Sequence, residues 1–215
     1  MTDVTKKPDA PKKKGKAWLY SIIKPVAALL LHTFLPVKYH GKERLAIDPP
    51  YILIANHTSM LDPVIMAVAI RKHQVCFIGK KELTKSKIGA WFFKHLHMIS
   101  VDRHNSDMEA MRACMRVTKE GGILGIFPEG TRHHKGLMEE MESGIGLIAL
   151  RSRVPLMPIY ITGKLGLFRR LHVYVGEAIP TEDLREQGVN RETCELLMQR
   201  ITATYAEMQK AHTKA

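Results

Sequence analysis

Three short runs decide what this chain can fold into. Tyr51–Ala55 (YILIA), Ile123–Phe127 (ILGIF) and Pro155–Ile161 (PLMPIYI) are apolar throughout, without polar alternation. A strand with one wet face alternates, whereas a strand apolar on both sides is covered on both faces. Shorter β-rich runs at Val75–Ile78, Met98–Val101 and His172–Val175 complete the set. Helical patterns fall between them. Asp62 precedes Pro63, an N-cap followed by proline at the first helical position, and predicts a helix to about Lys72. Ser106-Asp107-Met108-Glu109 is a capping box. Its helix carries Met108, Met111, Met115 and Thr118 on one face and stops at Gly121-Gly122. Leu197, Ile201, Tyr205 and Met208 follow helical spacing behind Asn190. With 215 residues, 45% of them hydrophobic, and no internal repeat, the expectation is one α/β domain with an N-terminal helical appendage.

The appendage is residues 17–37, AWLYSIIKPVAALLLHTFLPV. No small-residue cleavage site follows it, so it does not read as a secretory signal. Lys24 and Pro25 interrupt it and leave an uncharged run of 13 residues, Pro25 to Val37. As a helix that run covers about 20 Å of a hydrocarbon layer about 30 Å thick. Trp18, Tyr20 and flanking lysines suit a kinked helix or helical hairpin lying in the membrane interface, either on the bilayer or dipping into it. The competing reading is a helix buried in the core.

Charge narrows the partners. Lys and Arg number 33 against 21 Asp and Glu, a net +12. Six lysines and two aspartates among the first sixteen residues supply +4 of this, in a stretch with almost nothing apolar. Residues 1–16 therefore read as a disordered basic tail. Such a surface favours nucleic acid, anionic lipid or phosphorylated substrates. Only 7% of residues are aromatic and no nucleic-acid motif is present, which removes nucleic acid. Cys76, Cys114 and Cys194 lie far apart with no CxxC pair, as in a reducing compartment without disulfides. His95-Leu96-His97 and His133-His134 lack cysteines or carboxylates at zinc-site spacing, so no metal is expected.

Four constellations sit at strand ends, where open α/β sheets bind ligands. In Asn56-His57-Thr58-Ser59-Met60-Leu61-Asp62, a carboxylate held near a histidine can fix its tautomer and stabilise the imidazolium. Asp62 would serve twice, one oxygen capping the helix and the other holding His57. Phe127-Pro128-Glu129-Gly130-Thr131-Arg132 offers backbone N–H, hydroxyl and guanidinium donors in one turn, a set that suits phosphate. It is no Walker loop, since neither GxxxxGK[ST] nor GxGxxG occurs. Arg103, just past the run MISV, adds another positive charge at a strand exit. Val154-Pro155-Leu156-Met157-Pro158 is an apolar strand broken by two prolines.

Together these four blocks, in this order from about residue 38 to 180, resemble the phospholipid/glycerol acyltransferase family, in its 1-acylglycerol-3-phosphate acyltransferase (PlsC-like) branch. NHTSMLD is similar to that family's NHxxxxD block, VDR to the end of its second block, FPEGTR to its third and VPLMP to its fourth. One departure is Ser143 before Gly144, where the family pattern carries Lys. The resemblance implies an acyltransferase domain over 38–215, built on a central mixed, largely parallel sheet flanked by helices. It implies that His57 deprotonates the sn-2 hydroxyl of lysophosphatidic acid, with Asp62 orienting His57. It further implies an acceptor site at Asn56, Arg103, Glu129, Gly130, Thr131 and Arg132, and an acyl side at Val154, Pro155 and Pro158. Ser59 would be a bystander. Acyl-CoA or acyl-carrier protein would be the donor, no cofactor is required, and the enzyme would sit on the cytoplasmic face of an anionic membrane. Another lysolipid acceptor, or a non-catalytic lipid-binding relative, is the alternative.

Overall fold

A computed structural model describes residues 18–70, 72–80, 86, 87, 91, 98–101, 108–130, 137–163, 166 and 169–212. Helix α1 (Trp18–Thr33) leads into strand β1 (Val37–His40) and a short 3-10 turn (Lys42–Leu45). Then follow β2 (Tyr51–Ala55), α2 (Asp62–Ala69), β3 (Val75–Lys80), β4 (Ile99–Val101), α3 (Met108–Lys119) and β5 (Ile123–Ile126). The chain continues through α4 (Gly144–Ser152), β6 (Leu156–Thr162), β7 (Leu171–Val175), α5 (Glu182–Glu186) and α6 (Arg191–His212). Ser106 and Asp107 of the expected capping box, and the basic tail, lie outside the described residues.

Among the described residues the sheet has seven strands in the order β1-β7-β6-β2-β5-β3-β4. All neighbours pair parallel except β6 and β7, so β1 and β7 run against the rest. β2 is central, and every residue of YILIA is buried. Its side chains still sort by parity. Ile52 and Ile54 pack with α3, α4 and α6, while Tyr51, Leu53 and Ala55 pack with α1 and α2. This two-sided burial is why the run is apolar without alternation. After β2 the chain crosses one face as α2, and after neighbouring β5 it crosses the other as α4. The crevice between the ends of β2 and β5 is therefore a topological switch point, where ligands bind in such sheets.

The last helix forms as its spacing predicts. Asn190 Oδ1 accepts the Thr193 N–H at 2.9 Å, and Thr193 Oγ1 accepts the Asn190 N–H at 3.0 Å, a reciprocal cap. Leu197, Ile201, Tyr205 and Met208 are buried along α6. The Tyr205 hydroxyl bridges two neighbouring strands, 2.7 Å from Ile54 O and 3.1 Å from Ile159 O.

Of the two forms expected for the N-terminal segment, a single helix or a hairpin, it takes the first: one helix of 16 residues with Pro25 inside it. Contacts ahead of Pro25 hold it to the domain: Val75 N–H donates to Tyr20 Oη at 3.4 Å, and Lys24 Nζ donates to His73 O at 3.3 Å. Burial, and then the nearby Lys42 charge, pull the Lys24 ammonium below the ordinary lysine range. The segment runs on directly into the sheet. Val37 opens strand β1 and pairs with Leu171, Tyr39 Oη donates to Ile65 O at 2.9 Å, and Leu31 is buried in the core. The other face of α1 stays bare. Ile22, Val26, Leu29 and Leu30 are 49–66% exposed at helical spacing, and Phe34 continues the stripe. Tyr20 lies at the start of β3, whereas Pro36 accepts the Leu171 N–H at the opposite end of the sheet. The stripe thus climbs toward the sheet end where β2 and β5 terminate.

Candidate active site

The site begins where β2 stops. Asn56 follows the last paired residue, and its amide takes the place of a backbone: Nδ2 donates to Ile161 O and Oδ1 accepts from Ile161 N, both at 2.8 Å. A side chain thus extends the β2–β6 pairing by one step while the main chain turns away. Asn56 is 4% exposed, so losing this pair would leave both Ile161 groups unsatisfied.

His57 comes next and faces Asp62 across five positions. Asp62 Oδ2 lies 2.9 Å from His57 Nδ1 and also accepts the N–H groups of Thr58 at 2.6 Å and Ser59 at 2.7 Å. Oδ1 receives the Thr58 hydroxyl at 3.3 Å. The expected division of labour between the two oxygens is therefore corrected: Oδ2 alone both closes the turn and holds the histidine. The helix starts at Asp62 itself, with Leu61 at the N-cap and no side-chain cap bond, and it ends at Ala69 rather than near Lys72. Ser59 accepts the Leu61 N–H through Oγ at 3.2 Å, a turn contact.

A carboxylate accepts only, so the proton of the Nδ1···Oδ2 bond belongs to Nδ1. Nε2 then keeps its lone pair. Asp62 is fully buried while the His57 side chain is 16% exposed, which leaves the imidazole an edge toward solvent. The ring also stacks on Phe127, centroids 4.3 Å apart and planes at 26°. Phe127 had no role in the sequence reading beyond opening the FPEGTR run. A ring in direct line after a strand that neighbours β2 was the available signal.

Glu129 and Gly130 follow Phe127 on the adjacent strand end. Glu129 Oε2 accepts the His57 N–H at 2.8 Å and Oε1 accepts the Met138 N–H at 3.1 Å. Gly130 turns with φ of 65°, and a Cβ there would meet the Glu142 side chain at 2.6 Å. The structure thus brings Asn56, His57, Asp62, Phe127, Glu129 and Gly130 together. Thr131, Arg132 and Arg103 lie outside the described residues.

Val154, Pro155 and Pro158 are placed elsewhere. Pro155 O accepts the Ile52 N–H near the beginning of β2, while Ile159 pairs with Ala55 at its end. Four strand steps, about 13 Å, separate Pro155 from the level where β2 ends. Val154 accepts a bond from Arg185, and Pro158 sits buried opposite Ile54 with its carbonyl bonded to Gly176 N. The parallel register thus puts Val154 and Pro155, expected on the acyl side, beside the start of β2.

Comparison with known proteins was made against this geometry. A family model described as "Acyltransferase" matches residues 36–162. A 1-acyl-sn-glycerol-3-phosphate acyltransferase of Streptococcus pneumoniae is 30% identical over 203 residues, covering 91% of this chain and 75% of that protein. One from Bacillus subtilis is 30% identical over 152 residues, covering 68% and 75%. The crystal structure of the Thermotoga maritima 1-acyl-sn-glycerophosphate acyltransferase, PlsC, superposes with a TM-score of 0.63 at 21% identity, covering 90% of this chain and 81% of that one. At that identity the superposition establishes the fold.

Proposed function

Because this chain belongs to the acyltransferase family, we propose that it moves a fatty acyl group from an acyl thioester to the sn-2 hydroxyl of lysophosphatidic acid, giving phosphatidic acid. The observation that carries the reading is the His57–Asp62 contact at 2.9 Å, which leaves Nε2 as a base at an exposed edge. The nucleophile is then the substrate's own hydroxyl. As its oxygen attacks the thioester carbonyl, its proton passes to Nε2, and Asp62 stabilises the imidazolium. The C–S bond breaks as the tetrahedral intermediate collapses, and the imidazolium returns the proton to the leaving thiolate. The thiol is that of CoA or of acyl-carrier protein. Asn56 positions the loop, and Gly130, Thr131 and Arg132 with Arg103 hold the acceptor's phosphate, a role suited to guanidinium and backbone N–H donors.

The test is acyl transfer by purified protein in detergent, with lysophosphatidic acid, lysophosphatidylcholine and lysophosphatidylethanolamine in parallel and both donors supplied. Selective product from lysophosphatidic acid is expected. Transfer only to the other two would move the acceptor, and no transfer to any would end the enzymatic reading. Arg132→Ala is expected to raise KM for lysophosphatidic acid by about tenfold or more, the scale of one charge-assisted phosphate contact. An equal effect on an acceptor lacking a phosphomonoester would remove Arg132 from the phosphate site.

The bare stripe on α1 supports a seat on a membrane surface, and the net charge of +12 favours an anionic one, proposed here to be the cytoplasmic face. Among the described residues no helix is long and apolar enough to cross a bilayer. A helix that buries one face in its own domain and offers Ile22, Val26, Leu29 and Leu30 outward is suited to lie in the interface. Deleting α1 would also remove core and sheet contacts, so substitution is the cleaner experiment. Replacing those four residues with Gln is expected to release the protein from phosphatidylglycerol-containing vesicles while its melting temperature changes little. Undiminished vesicle binding would take the stripe out of the membrane contact.

A further inference from the structure

The carboxylate of Glu129 is occupied by the backbone of its own chain, and what it holds is the catalytic loop. Its two oxygens span segments far apart in sequence: Oε2 takes the N–H of His57, 72 residues away, and Oε1 takes the N–H of Met138, nine residues on. The β2 ladder ends at Ala55, and Asn56 meets Ile161 through its side chain, so the His57 N–H depends on another acceptor. A carboxylate accepting backbone N–H groups makes the stronger, charge-assisted kind of bond. Glu129 is 7% exposed. Its charge is also sensed beneath the loop, where the Tyr205 phenol is pushed up, chiefly by burial and further by Glu129.

The far end of the clamp is itself constrained. Met138 is fully buried and left-handed, with φ of 56°, a conformation that costs a side-chain-bearing residue about 1 kcal/mol. It is held at both polar atoms: its N–H by Glu129, and its carbonyl by the Thr202 hydroxyl of α6 at 3.1 Å. A chain of contacts therefore runs from α6 through Met138 and Glu129 to the main chain of His57.

We infer that Glu129 is a positioning residue, fixing the His57 main chain against the 137–138 turn, rather than a group that touches the acceptor. The inference rests on His57 being the base. Glu129→Gln separates the two roles, because glutamine keeps the shape but has one acceptor oxygen and one amide donor. It satisfies one of the two N–H groups and opposes the other. The expected result is a kcat lower by about 10- to 100-fold, the cost of roughly one buried unpaired N–H group, with KM for lysophosphatidic acid within about twofold. Hydrogen exchange at the His57 and Met138 amides is expected to speed up in the same variant. Thr202→Val, remote from the substrate, is expected to lower kcat by a few-fold at constant KM. The double variant should lose no more than Glu129→Gln alone, since a broken chain cannot be broken again. A raised KM with kcat preserved would overturn the inference and put the carboxylate on the acceptor. Unchanged exchange at both amides would overturn it independently of activity. If the wild-type protein transfers no acyl group, the functional reading fails while the exchange experiment still decides the clamp.

Discussion

His57→Ala lowers kcat for acyl transfer to lysophosphatidic acid by at least about 10²-fold, the smaller end of what loss of a general base costs. The protein remains folded. The His57 side chain is partly exposed, and its ring stacks on Phe127 at 4.3 Å. The loop conformation is set by groups that the substitution leaves in place: Asn56 on Ile161, Asp62 on the Thr58 and Ser59 amides, and Glu129 on the His57 N–H. Steady-state kinetics with a thermal melt on the same sample check both halves. Activity within a few-fold of wild type would remove the proposed mechanism, because no other base is assigned to the hydroxyl proton.

Asp62 divides differently, since its carboxylate supports the loop as well as the imidazole. Asp62→Ala strips the acceptor from three donors converging on Oδ2. An unsatisfied buried donor costs about 1–3 kcal/mol, so a loss of about 3 kcal/mol or more in unfolding free energy is expected alongside the loss of activity. Asp62→Asn behaves otherwise. The two backbone donors select the amide oxygen for the Oδ2 position, where it still accepts from His57 Nδ1. The amide NH2 then faces Thr58 Oγ1, which has lone pairs to accept it. Stability is largely retained while the negative charge is gone, so the imidazolium formed during transfer is less stabilised. A kcat reduction of about 10- to 100-fold is expected, from exchanging a charge-assisted bond for a neutral one. Urea unfolding and kinetics of both variants provide the check. A destabilised Asn variant, or a fully active one, would mean that Asp62 does not partition in this way.

Much of the architecture was legible from short-range pattern. The apolar runs at 51–55 and 155–161 became the paired strands β2 and β6, and Asn190 became the cap of the last helix. What escaped was whatever the local sequence argues against. GIGLIALRS forms helix α4 although its two glycines lower helix propensity. Gly146 is there because α6 packs so closely that an added Cβ would lie 3.0 Å from the Cys194 Cβ. The strand Val37–His40 follows an apolar stretch and has no pattern of its own to mark it; β7 supplies its partner. Pro25 reads as a break, yet contacts at Tyr20 and Lys24 before it and the buried Leu31 after it tie the helix down.

By itself the sequence determined the chemistry on offer: His57 and Asp62 on one loop, Glu129 on another, and strands apolar enough to be covered on both faces. Five residues of chain confine a histidine and a carboxylate to one turn, so their pairing needs no distant partner. Only the tertiary structure decided what surrounds that pair. The strand order puts β5 and β6 on either side of β2, and this brings Phe127 under the ring, Glu129 onto the His57 amide and Ile161 onto Asn56. The same parallel register carries Val154 and Pro155 to the far end of the sheet. Contacts between residues 72 or 105 positions apart arise from how strands stack, and no local spacing encodes that.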